Sequence, residues 1–173
     1  MQDRSRNFDE LLWPHLRAAY NFARWLVRNE QDAEDIVQES FVKAFLALDR
    51  FRGGDSRVWL LAIVRNTAMS LLRGRRPEAA LGDAGPEPAD SSEGVEERLI
   101  AGERRDQVRG AIERLPAEFR ETLILRELEG LSYKEIAGVL DVPVGTVMSR
   151  LARARGLLMR DLGSGTAAER MTR

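Results

Sequence analysis

Residues 131–158, LSYKEIAGVLDVPVGTVMSRLARARGLL, decide the fold. Ser132 stands three residues before Glu135, the spacing of a capping box, so a short helix starts there and ends near Leu140. Asp141-Val142-Pro143 makes a tight turn, and Pro143 lies near the first turn of the next helix, where proline is tolerated. That helix, expected over 143–161, carries Val144, Val147, Leu151, Ala154 and Leu158 three and four apart, one stripe for a core. Its other face presents Thr146, Ser149, Arg150 and Arg153, and no acid occurs between Val142 and Arg160. Arginine can hold guanine bidentately in the major groove, and hydroxyls can bond bases or phosphates. The pattern predicts a helix-turn-helix whose second helix reads duplex DNA. A helical hairpin with a solvated arginine face is the plain alternative.

Outward from this stretch the periodicity stays helical, and no segment alternates over a strand length. Helices are expected over 95–114 and 117–129, stopped by Pro116 and Gly130. Earlier in the chain they are expected over 9–28, 32–48 and 56–73, with Asp32 as an N-cap and Gly53-Gly54 as a break. Between the two helical blocks lies 77–97, PEAALGDAGPEPADSSEGVEE, with seven acids, no base and almost no large apolar side chain. Such a segment cannot bury enough surface to offset its ordering entropy, which predicts a flexible, self-repelling linker. A solvated loop within one domain is the other reading. The resulting expectation is an all-α chain of two small helical domains, 8–76 and 98–162, joined by the linker 77–97 and ending in a disordered tail, 163–173.

Composition limits the chemistry. The 173 residues carry 27 Lys+Arg, 28 Asp+Glu and a single His, and 43% are hydrophobic, enough for a core. The absence of cysteine excludes disulfides, thiolate metal sites and cysteine nucleophiles. The longest apolar run, 58–64, is far shorter than a membrane span, and MQDRSRNFDE does not read as a secretory signal. A cytoplasmic protein without membrane insertion is expected. The near-zero net charge hides two blocks of +3 around an acidic bridge of −7. His15 has no nucleophile or metal-ligand partner at recognisable spacing, so no catalytic residue, no metal and no cofactor is expected. His15 is read as structural or superficial.

Two constellations stand out in the first block. Asp35, Gln38, Glu39 and Val42 share one outward helix face, a carboxylate–amide patch able to accept Arg or Lys from another protein. A solvated face would show the same spacing. The second runs Arg50-Phe51-Arg52-Gly53-Gly54-Asp55-Ser56-Arg57-Val58-Trp59 and is followed by Arg65, Asn66 and Arg73. Basic residues interleaved with aromatics suit single-stranded DNA. Phe51 and Trp59 also suit a core.

Together these motifs resemble the extracytoplasmic-function (ECF) group of RNA polymerase sigma factors, over about residues 9–160. DAEDIVQESFVKAF resembles the polymerase-binding helix, RFRGGDSRVWLLAIVRNTAMSLLRGR the promoter-melting segment, and LPAEFRETLILRELEGLSYKEIAGVLDVPVGTVMSRLARAR the helix-turn-helix domain. The resemblance implies a region 2 helical bundle and a region 4 helix-turn-helix. It implies that Asp35, Gln38, Glu39 and Val42 grip the coiled coil of the polymerase's largest subunit. The −10 element would fall to Arg50, Phe51, Arg52, Asp55, Ser56, Arg57, Trp59, Arg65, Asn66 and Arg73. The −35 element would fall to Lys134, Thr146, Met148, Ser149, Arg150 and Arg153. The implied partners are core polymerase (coiled coil and flap), promoter DNA and an anti-sigma factor, and the implied role is initiation at a stress or envelope-type regulon. Two positions depart from the family pattern: Met148 stands where a basic residue is common, and Ser70 where an acid is common.

The rivals are a helix-turn-helix regulator acting on duplex DNA without polymerase, a helical adaptor and an enzyme. The first explains 132–158 and leaves the two N-terminal constellations without a role.

Overall fold

In a computed structural model the described residues are 2–75 and 95–171, with side chains described over 6–75 and 101–164. The helices are α1 (Gln2–Leu12), α2 (Leu16–Val27), α3 (Glu30–Ala47), α4 (Ser56–Gly74), α5 (Val95–Glu113), α6 (Ala117–Glu127), α7 (Tyr133–Leu140) and α8 (Val144–Met171). Short 3-10 turns occupy Trp13–His15 and Leu48–Arg50, and no strand occurs among the described residues. The all-α expectation holds. Most of the expected linker, up to residue 94, lies outside the described residues, and 95–97 open α5.

The first block packs α2, α3 and α4 on one another around Leu12, Phe22, Ile36, Leu60, Leu61 and Val64, all essentially inaccessible to solvent. The expected single helix over 9–28 is two helices. Pro14 has no N–H to donate, and the chain passes it in the 3-10 turn. The apolar stripe survives because Leu12 before the break and Ala19, Ala23 and Leu26 after it are all buried. The N-cap of α3 is Asn29 rather than Asp32: the Asn29 side chain accepts from the Asp32 N–H at 3.1 Å. The Asp32 carboxylate instead takes both Nη atoms of Arg75, so the start of α3 is fastened to the end of α4. Between α3 and α4 the chain turns through Gly53 and Gly54 at φ of 90° and 97°, a region that favours residues without a Cβ.

In the second block α6, α7 and α8 enclose Ile124, Leu125, Leu131, Ile136, Leu140 and Leu151. The Ser132–Glu135 capping box forms in both directions, at 3.2 and 2.7 Å. Replacing Ser132 by Ala leaves the Glu135 N–H without its cap and is expected to cost about 1 kcal/mol, read as a lowered urea midpoint at unchanged slope. Asp141 ends α7 at φ 54°, a left-handed position that Asp tolerates, and its N–H returns to the Ala137 carbonyl. The following helix is longer than expected and continues past Asp161 to Met171, so residues 163–171, expected to be part of a disordered tail, extend α8 instead. Val144, placed by periodicity in the buried stripe, is 41% exposed, because the first residue of α8 overhangs the edge of the core.

The two blocks touch. Helix α7 lies on α4 and α6 lies on α2, and one apolar cluster runs through both.

Candidate functional site

The sequence-expected site residues fall into three places. On α3, the buried Ala33, Ile36, Val37, Ser40 and Ala44 hold one face against the core, which turns Asp35, Gln38, Glu39 and Val42 outward. All four are exposed and lie on consecutive turns of one rigid helix. Gln31 Nε2 donates to Asp35 Oδ1 at 3.2 Å, and Lys43 Nζ pairs with Glu39 Oε1 at 2.6 Å. Lys43 also donates to Thr67 of α4 at 3.2 Å, which steadies this edge of the patch. Sequence reasoning missed an apolar rim beside it. Leu46 is 71% exposed one turn further on, and Trp13 is 62% exposed with its ring edge-on to Phe41 at 6.2 Å. The signal for Leu46 was available, since residues 42 and 46 are one helical turn apart. That for Trp13 was not, because it depends on the break at Pro14.

The second place is the loop before α4. Arg50 and Arg52 are exposed, while Phe51 is half-buried with its ring 4.9 Å from that of Trp59, tilted by 37°. The two aromatics thus brace the loop against α4. Asp55 caps α4 by accepting from the N–H groups of Arg57 and Val58 at 2.8 and 3.2 Å. Ser56 Oγ donates to the Leu11 carbonyl at 3.2 Å and lies 3.0 Å from His15 Nε2. A serine hydroxyl has one hydrogen, so His15 is the donor of that second bond. His15 therefore ties the start of α4 to the N-terminal segment, the structural role expected of it. Asn66 and Arg73 are exposed further along α4, with Arg73 Nε donating to the Met69 carbonyl at 3.3 Å. Arg65 faces the second block: Nε and Nη2 donate to the two carboxylate oxygens of Glu121, each at 3.2 Å.

The third place is α8 with α7. Lys134, Met148, Ser149 and Arg153 are exposed and Thr146 is half-buried. Arg150 differs from its neighbours. Its side chain is 19% exposed, with Nη2 3.8 Å from Glu118 Oε2 and Nη1 3.7 Å from Glu121 Oε1. The acid-free stretch of α8 thus acquires carboxylates from α6, a long-range feature that local sequence does not reveal. Glu127 of α6 similarly pairs with Arg155 at 2.8 Å. Just past the end of α6, burial pushes the Glu129 carboxyl above its ordinary range, with the positive charge of Arg57 pulling the other way. The surface so formed combines a rigid positive helix face, a basic aromatic loop and a separate carboxylate ridge.

Comparison with known proteins gives the same division. Residues 12–78 match the family model described as sigma-70 region 2, and residues 105–158 match that described as sigma-70, region 4. The chain is 46% identical over 134 residues to the ECF RNA polymerase sigma-E factor of Salmonella typhimurium, covering 72% of this chain and 70% of that protein. It is 40% identical over 162 residues to the RNA polymerase sigma-H factor of Pseudomonas aeruginosa, covering 87% and 83%. Among solved structures it resembles the sigma factor RpoE of Bartonella quintana in complex with the anti-sigma factor NepR, with a TM-score of 0.76, 28% identity and 91% and 98% of the two chains covered.

Proposed function

Since the chain belongs to the ECF group of RNA polymerase sigma factors, we propose that the three surfaces described divide its work as follows. The protein is a non-enzymatic initiation factor that binds core polymerase and directs it to promoters. The α3 face of Asp35, Gln38, Glu39 and Val42 is the seat for the coiled coil of the largest subunit. Carboxylates and an amide accept hydrogen bonds from Arg or Lys, and Val42 gives the seat an apolar centre. The loop 50–55 with α4 engages the opened −10 element. There Arg50, Arg52, Arg57 and Arg73 track phosphates and the Phe51–Trp59 pair offers an aromatic wall to an unstacked base. Asp55 and Ser56 serve this surface through the loop geometry they hold. Helix α8 reads the −35 element in duplex form through Thr146, Met148, Ser149, Arg150 and Arg153, with Lys134 on a phosphate.

The observation that carries this reading is the coexistence, on one chain, of a polymerase-type acidic seat and two chemically different DNA surfaces. A helix-turn-helix regulator working without polymerase has no use for the first two and is not favoured. The domains are proposed close to the bounds expected from sequence, 8–76 and 98–162, with the second opening three residues earlier at the start of α5, and the acidic segment between them as a linker that makes two weak DNA contacts one avid contact. Control by a separate anti-sigma protein is proposed from the Bartonella complex, with a stress or envelope-type regulon as the target. No helix among the described residues is long and apolar enough to cross a membrane, consistent with action beside the polymerase. The test is transcription from a genome-wide promoter pool by core polymerase with the purified chain added. Promoter-specific transcripts are expected, and their complete absence would overturn the reading.

Met148 adds a finer prediction. An exposed thioether on a recognition face has nothing to donate to a phosphate, and it suits the thymine methyl group. Replacing the thymines of the −35 duplex by deoxyuridine one at a time should weaken binding about fourfold at one position, the worth of one buried methyl. In Met148→Ala that sensitivity should vanish.

A further inference from the structure

Two of the guanidiniums assigned to promoter DNA converge on one carboxylate. Glu121 is 4% exposed. Arg65, from the other module, takes both of its oxygens at 3.2 Å, whereas Arg150, from its own module, stays 3.7 Å away, within ion-pair range but beyond a hydrogen bond. Arg150 Nη1 is buried and makes no hydrogen bond to any described residue. The other charge near Arg150 is Glu118, at 3.8 Å and largely exposed. Arg65 takes one lone pair on each Glu121 oxygen, and Arg150 has not closed to hydrogen-bond distance on those that remain.

We propose that Glu121 is a positioning residue with two alternative partners. While the modules are closed it holds Arg65 of α4; when they part it turns to Arg150 and braces that side chain on the recognition helix. Two further observations fit an exchange rather than a fixed bridge. Helix α7 covers α4, so the closed form covers part of the helix assigned to the −10 element. The α3 seat stays exposed in the closed form, so polymerase can dock before the modules separate. Parting would then release Arg65 for DNA and ready Arg150 in one step. The proposal rests on the assignment of Arg65 and Arg150 to promoter DNA, and its order of docking also on the α3 seat.

The absence of cysteine allows clean labelling of the full chain at Arg17→Cys on α2 and Met159→Cys on α8, both exposed. The distance between two dyes on these sites, measured by single-molecule energy transfer in the free protein, reports closure without polymerase or DNA. Arg65→Gln, altering a partly exposed side chain, and Glu121→Gln should each raise the open population about tenfold, the worth of a charge-assisted pair. The two variants should then diverge in binding a −35 duplex, which Arg65 does not touch. Arg65→Gln should bind it more tightly than the parent, because the modules open and Glu121 is free to brace Arg150. Glu121→Gln should bind no better than the parent, because the brace is gone. Unchanged dye distances in Arg65→Gln would overturn the clasp, and equal gains in duplex binding by both variants would overturn the exchange. The distance readout stands apart from transcription, so failure of the promoter assignment shows up in the transcription assay while the distances still shift. If Glu121→Gln does not fold, Arg65→Gln alone decides on the clasp, and Glu121→Asp, which keeps the charge on a shorter arm, replaces it in the duplex assay with reduced binding expected.

Discussion

Reversing charge at two points of the α3 ridge, Asp35→Lys with Glu39→Lys, is expected to weaken binding to core polymerase on the order of 100-fold and to abolish transcription, while the protein stays folded. The size follows from the chemistry. Each reversal removes an acceptor and places a cation against the basic partner assigned to this seat, and like charges brought together across an interface cost several kcal/mol. The ridge is a single helix face with its opposite side buried in the core, so the two substitutions leave packing untouched. The internal losses are small. Gln31 loses its bond to Asp35, and Lys43 exchanges an exposed i,i+4 partner, a pair worth about 0.3–0.5 kcal/mol, for a like charge that costs a similar amount. Thermal unfolding should therefore move by no more than several degrees, about what 1 kcal/mol gives in a domain of this size. Equilibrium binding to core polymerase, with Glu103→Lys as a control at an exposed site on α5, separates seat from fold. A doubly reversed variant that bound polymerase as the parent does would remove α3 from the interface.

Helix positions were legible because burial imposes period 3.6, and a stripe such as Val147, Leu151 and Ala154 states which side is inward. What escaped sequence reading was decided at longer range. Asn29 and Asp32 are both acceptable caps, and the choice falls to Asn29 because the Asp32 carboxylate is claimed by Arg75, 43 residues away. The break at Pro14 was masked by a stripe that keeps its register on both sides of it. On the −35 face of α8, spacing alone does not distinguish Arg150 from Arg153. The fold separates them, because α6 brings Glu118 and Glu121 alongside Arg150 and leaves Arg153 in the open. Asp55 and Ser56, grouped by sequence with the DNA-facing loop, direct their side chains to the α4 N-terminus and to Leu11. A motif therefore identifies a surface, and tertiary neighbours decide which of its residues are available.

That separation makes Arg153→Ala and Arg150→Ala different experiments. Arg153 is exposed on α8, so its truncation should leave stability within about 0.5 kcal/mol. The same change should lower affinity for the −35 duplex by about 1–3 kcal/mol, roughly 5- to 150-fold, if the guanidinium reads a base. The loss should then be confined to one base position; a uniform loss with the salt dependence reduced by about one ion would assign Arg153 to a phosphate instead. Arg150 is held over α6 with its side chain 19% exposed. Truncating it removes two ion pairs, at 3.8 and 3.7 Å, and the packing of its stem, so a stability loss of about 1 kcal/mol should accompany the loss of DNA binding. Denaturant midpoints and duplex titrations on the same two proteins check both limbs. If Arg153→Ala left duplex affinity unchanged at every base position, the face of α8 assigned to the −35 element would be the wrong one.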